Sequence, residues 1–133
     1  MQAVQYERRK LRSTHINRAI GYLFETIASA HEVSNMALAD SRGLLLVHHG
    51  DETHCDVLSA YAPLMTRTVD PTTREHILGT MSSYIPEASP ERISVREFFA
   101  HGERMYLCAQ GTPSAAKDVA VCRAISGARR ILN

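Results

Sequence analysis

The chain contains no tryptophan, and aromatic residues make up only 6% of it. That leaves little material for an aromatic ligand cage or a base-stacking platform. Cysteine is scarce: Cys55, Cys108 and Cys122 are an odd number with no CxxC spacing. This argues against a disulfide framework and fits a reducing cytoplasm, where the protein is expected. No uncharged run approaches the roughly 18 apolar residues of a membrane helix, so no membrane insertion is expected. The first ten residues pass through Arg8, Arg9 and Lys10 with no apolar h-region, which argues against a signal peptide. An excess of one charge is also missing. Fifteen Lys+Arg stand against 14 Asp+Glu, for a net charge of +1. Such a balance does not suggest a nucleic-acid coat or an acidic tail, and no nucleic-acid partner is expected. Internal repeats and low-complexity segments are absent. So are the GxSxG elbow, the P-loop, GxGxxG and HExxH, and no catalytic or cofactor-binding residue is assigned.

What is present is a globular composition. With 133 residues, 44% hydrophobic and 22% charged, the chain has the size of one domain that builds its own core. Residues 1–133 are read as that single domain. Residues 1–12, with Arg8, Arg9, Lys10 and Arg12, form a basic extension that either lengthens the first helix or frays. The basic run could touch phosphates or anionic lipid, but a solvated helix face is the simpler reading.

Hydrophobic spacing then divides the chain. Ile16, Ile20, Leu23 and Ile27 recur at helical intervals, so Val4 to Ala30 reads as helix. Val33 to Asp40 and Leu44 to His48 read as two strands joined by Ser41-Arg42-Gly43, with Met36 and Leu38 on one face. Asp51 is a candidate N-cap for a second helix carrying Leu58, Tyr61, Ala62 and Met65. Pro63 is expected to kink or end that helix, because it lacks an amide donor and crowds Ser59. Asp70 with Pro71 starts another helix, which Ile77, Leu78, Met81, Tyr84 and Ile85 carry to Pro86. Ile93–Phe99 and Arg104–Gln110 form a second hairpin, with Met105, Leu107 and Ala109 opposite Tyr106 and Cys108. Val121, Ile125, Ala128 and Leu132 mark a closing helix. The expected fold class is α+β: an antiparallel sheet of four to five strands with helices packed on one or both faces.

Three stretches resemble the roadblock family, the dynein-light-chain-type domains that are also widespread in bacteria. They are Asn35-Met-Ala-Leu-Ala-Asp-Ser-Arg-Gly-Leu-Leu-Leu-Val47, Phe98-Phe-Ala-His-Gly-Glu-Arg-Met-Tyr-Leu-Cys108 and Ala124-Ile-Ser-Gly-Ala-Arg-Arg-Ile-Leu132. They are similar to the family's opening hairpin, a later hairpin and its closing helix. Roadblock domains usually have five strands and an unbroken central helix, whereas four strands and a divided helix are legible here. The resemblance implies a roadblock or profilin-like sandwich and a non-enzymatic, cytoplasmic function. It implies a homo- or heterodimer, joined by sheet edges and central helices, that regulates or scaffolds a Ras-like small GTPase or signalling complex. The candidate interface residues are Leu58, Tyr61, Met65, Phe98, Phe99 and Tyr106. Phe98 and Phe99 are consecutive in a strand, so one is expected inside and the other outside.

The densest polar cluster is His48, His49, Asp51, His54, Cys55 and Asp56. These residue types ligate Zn²⁺, and a small ligand- or metal-sensing domain is the alternative function. The spacing is poor for it. His48 and His49 point to opposite faces of a strand, and His54 and Cys55 lie about 100° apart on a helix. The preferred reading is a polar strand end and helix start, with no metal site. Cys55 at a helix N-terminus could be activated by a histidine, but nothing in the sequence brings such a pair together.

Overall fold

The computed structural model describes residues 2–68, 70–86 and 88–133, with side chains from residue 14 onward. Val69 and Glu87 lie outside the described residues, as do the side chains of the basic run Arg8–Arg12. The chain runs α1 (Gln2–Ala30), β1 (Val33–Ala39), β2 (Leu45–His49), α2 (Glu52–Arg67), α3 (Pro71–Met81), β3 (Ile93–Ala100), β4 (Glu103–Gly111) and α4 (Ala115–Leu132). The four strands form one antiparallel sheet in the order β2-β1-β4-β3. The α+β sandwich read from the sequence is therefore the observed fold, with four strands.

Both sheet faces are covered. On one side Met36, Leu38, Leu107 and Ala109 pack with Ile20, Phe24 and Ile27 of α1 and Val121 and Ala124 of α4. On the other, Ala37, Ala39, Tyr106 and Cys108 pack with Cys55, Leu58 and Met65 of α2 and Ile77, Leu78 and Met81 of α3. The period-2 alternation of side chains puts the large residues of β1 under α1 and its alanines under α2. Residues along α2 meet successive strands. The Cys55 thiol donates to Met36 and His49 carbonyls, while Leu58 O accepts from the Cys108 thiol on β4.

Two local features differ from the sequence reading. Of the two outcomes expected at Pro63, a kink or an end, the end does not occur: α2 continues through it to Arg67. The Ser59 carbonyl that Pro63 cannot satisfy lies against Gly43, where an added Cβ would sit 2.8 Å from Ser59 O. The β1–β2 turn is thus pressed onto the helix at the point where the proline leaves it open. The second difference is at α3, which ends at Met81 rather than Pro86; hydrogen-bonded turns carry Tyr84 and Ile85 onward. Ile85 still reaches the core at 0% exposure. Both predicted caps are present. Asp51 accepts from His54 N, and Asp70 accepts from Thr72 N and Thr73 N. The Thr73 hydroxyl, with the Thr72 and Thr73 amides, holds the Asp70 carboxyl below the ordinary carboxylate range.

Candidate interaction surface

The six sequence-predicted interface residues do not share one surface. Leu58 and Tyr106 are fully buried and Met65 nearly so, all beneath α2 and α3. Phe98 is buried on the opposite side of the sheet, with α1 and α4. These four therefore build the monomer core, because Leu58 and Met65 face the sheet from α2, while Tyr106 and Phe98 face the covering helices from their strands. Tyr61 is half-buried. It lines a shallow groove of about 420 Å³ with Leu44, Val57, Ala60 and Tyr84. Phe99 is 51% exposed, which settles the inside–outside choice: Phe98 faces in and Phe99 faces out. Arg104, directly across the hairpin, places its guanidinium 5.7 Å from the Phe99 ring centre. The same guanidinium is 3.4 Å from a Glu97 carboxylate oxygen.

Two further features were not singled out from the sequence. The first is the solvent side of α2. Asp56, Ala60, Leu64 and Arg67 are exposed, and their spacing at 3.6 residues per turn aligns them on one side of the helix. Acid stands at one end of this stripe, base at the other, and small or apolar residues between. Asp56 and Arg67 have no ion-pair partner in the chain among the described residues. The second is the outer edge of β3, eight residues long, beside a groove of about 210 Å³. The signal for the first feature was Leu64 off the buried stripe; for the second, sequence carries none, because edge position is a property of strand order.

Hydrogen bonds hold the His/Cys segment between the end of β2 and the start of α2. Asn35, 5% exposed, organises it: its Oδ1 accepts from Asp51 N at 2.8 Å and its Nδ2 donates to Gln110 Oε1 at 2.8 Å. His54 Nδ1 lies 3.4 Å from the same amide nitrogen. Cys55 is fully buried, and its thiol points at backbone carbonyls rather than at the histidines. Burial pushes its pKa up to about 12, the opposite of an activated nucleophile. Cys108 is shifted the same way by burial. Among the described residues, no three His, Cys, Asp or Glu side chains are placed to hold one metal ion. Lys117, 5% exposed, donates its Nζ to Glu91 O and ties the start of α4 to the loop before β3. Desolvation lowers its pKa, against the opposing pull of Asp118 and Glu91.

The near-zero net charge conceals an uneven division. The α1 and α4 segments together carry nine Lys/Arg and three Asp/Glu, leaving six and eleven for the rest of the chain. In sequence, the α1 and α4 segments are therefore basic and the remainder acidic. No helix among the described residues is long and apolar enough to cross a membrane. Compared with family models, with curated proteins and with solved structures, the chain gives no match.

Proposed function

We propose that the chain is a non-enzymatic interaction module of roadblock type. It forms a dimer that regulates or scaffolds a Ras-like small GTPase or a signalling complex. The observation that carries this reading is the outer stripe of α2. A two-fold axis near its middle sets two α2 helices antiparallel. Asp56 of each copy then meets Arg67 of the other, and Ala60 leaves room for close approach. Such a surface is complementary to itself in charge. The order of helix, hairpin, two helices, hairpin and helix, with the roadblock-like hairpin segments, supports the family reading. The buried, high-pKa thiols favour it over the metal-sensing alternative.

Sedimentation equilibrium over micromolar to millimolar concentrations tests the dimer. The wild type is expected to associate, Asp56→Arg and Arg67→Asp each to weaken association, and the double exchange to restore it. A wild type that stays monomeric throughout, or a double exchange that rescues nothing, overturns the α2 dimer. Titration of GTP- and GDP-loaded Ras-like GTPases into the chain tests the second half. Binding that depends on the nucleotide is the expected outcome; no binding to either form refutes it.

A further inference from the structure

The β3 strand is a free edge whose register shows which backbone groups are unsatisfied. Gly111 donates its N–H to Arg92 O at 3.0 Å, and the register continues from that pair along the hairpin. Alternation in an antiparallel ladder then turns Ser94, Arg96 and Phe98 inward to β4. The N–H and C=O groups of Val95, Glu97 and Phe99 point away from the sheet. They have no backbone partner among the described residues. Beside this edge runs the groove of about 210 Å³, lined by Ile93–Arg96, by Arg74 and Leu78 of α3 and by Asp118 of α4.

Two guanidiniums flank the edge on opposite faces of the sheet. Arg96 lies on the α4 side, its Nη1 3.3 Å from Cys122 Sγ. Arg74 lies on the α3 side, its Nη2 donating to Met65 O at 3.4 Å. Neither has a carboxylate partner among the described residues, and Asp118 is the single acid lining the groove. We propose that this edge binds an extended acidic segment of a partner protein, which adds to the sheet as a fifth strand beside β3. Main-chain bonds to Val95, Glu97 and Phe99 hold the segment. Side chains of a strand alternate between faces, so two consecutive acidic residues meet Arg96 and Arg74 in turn. An apolar residue further along covers the exposed ring of Phe99.

A second copy of β3 fits this edge less well. Centred antiparallel pairing about a two-fold axis sets Arg96 against Arg96 or Glu97 against Glu97. Like charges directly opposite destabilise a ladder. The inference goes beyond the proposed dimer and does not depend on it, because α2 and the β3 edge are separate surfaces.

The test uses the full chain and two fluorescein-labelled heptapeptides, TVDEVTV and TVKKVTV, followed by anisotropy and by amide NMR. The acidic peptide is expected to bind at least about tenfold more tightly than the basic one. Val95, Glu97 and Phe99 amides should shift, and Arg96→Glu should reverse the preference between the peptides. N-methylating alternate residues of the acidic peptide should abolish binding in one phase and spare it in the other, a control that leaves the protein unaltered. Equal affinity for the two peptides, equal loss in both methylation phases, or no binding of either up to roughly millimolar concentration overturns the proposal. Concentration-dependent protection of the same three amides without peptide also overturns it, since a second copy then holds the edge.

Discussion

Substitution of single glycines by alanine separates three physical effects in one fold. Gly50 joins β2 to α2 with φ +100°, and a Cβ there would sit 2.2 Å from Asn35 Oδ1 and 2.4 Å from Ser34 O. The left-handed backbone costs an alanine about 1–2 kcal/mol. Displacing a backbone carbonyl adds about 1–3 kcal/mol of overpacking. Shifting Asn35 weakens its bond to Asp51 N, about 1 kcal/mol more. Gly50→Ala is therefore expected to lose about 3–6 kcal/mol, a large share of the ~5–15 kcal/mol typical of a domain. Gly102 isolates the first term: φ is +73° and nothing lies within 4 Å of its added Cβ. Gly102→Ala should lose about 1–2 kcal/mol. Gly79, in α3 with open space around it, has neither cost, and Gly79→Ala should gain about 0.5–1 kcal/mol from helix propensity. Urea unfolding followed by circular dichroism reads all three. With a slope of about 2 kcal/mol per molar, the Gly50 variant should unfold about 2 M earlier than wild type. A Gly50→Ala midpoint matching that of Gly102→Ala would refute the close approach of Asn35 and Ser34 to this turn.

Four further outcomes follow from the buried polar groups and the three thiols. Tyr106 is fully buried and its hydroxyl has no partner among the described residues; Tyr106→Phe should stabilise by about 1 kcal/mol, and a loss of that size in urea would reveal a hidden partner. Asn35→Ala strips bonds from Asp51 N and Gln110 Oε1 and should cost about 2–3 kcal/mol, an expectation that a midpoint unchanged from wild type would defeat. Exposed Cys122 should react with a disulfide reagent at pH 8, whereas buried Cys55 and Cys108 react only on unfolding, so three fast thiols would contradict the packing. Because burial raises the folded-state pKa of Cys55 to about 12 from 9.0, its contribution is complete below pH 9. It should fade as pH rises from 9 towards 12, where the unfolded chain ionises first; flat stability across that window would count against the buried thiol.

Local chemistry was legible wherever one residue type has one physical use. Asp51 and Asp70–Pro71 announce helix starts, because a short acceptor and a fixed φ satisfy orphan amides without help from the rest of the fold. The alternation of Met105, Leu107 and Ala109 against Tyr106 and Cys108 marked β4 as a strand with two useful faces. At Pro63 the helix does not end, because packing against the sheet holds both sides of it, and Gly43, from a turn sixteen residues earlier, lies against the freed Ser59 carbonyl. The interface residues were chosen from apolar stripes, which mark what must be buried but not by what. Leu58, Met65, Phe98 and Tyr106 went to the sheet, and the α2 surface left over is the one between Asp56 and Arg67.

The amino-acid order alone determined the sequence of helices and hairpins, their caps and the class of fold, since these rest on interactions among residues a few positions apart. Strand order, the choice of Phe99 over Phe98 for solvent and the free edge of β3 were decided only by the packed structure. Each is a relation between segments far apart in the chain, set by which faces of the sheet the helices cover.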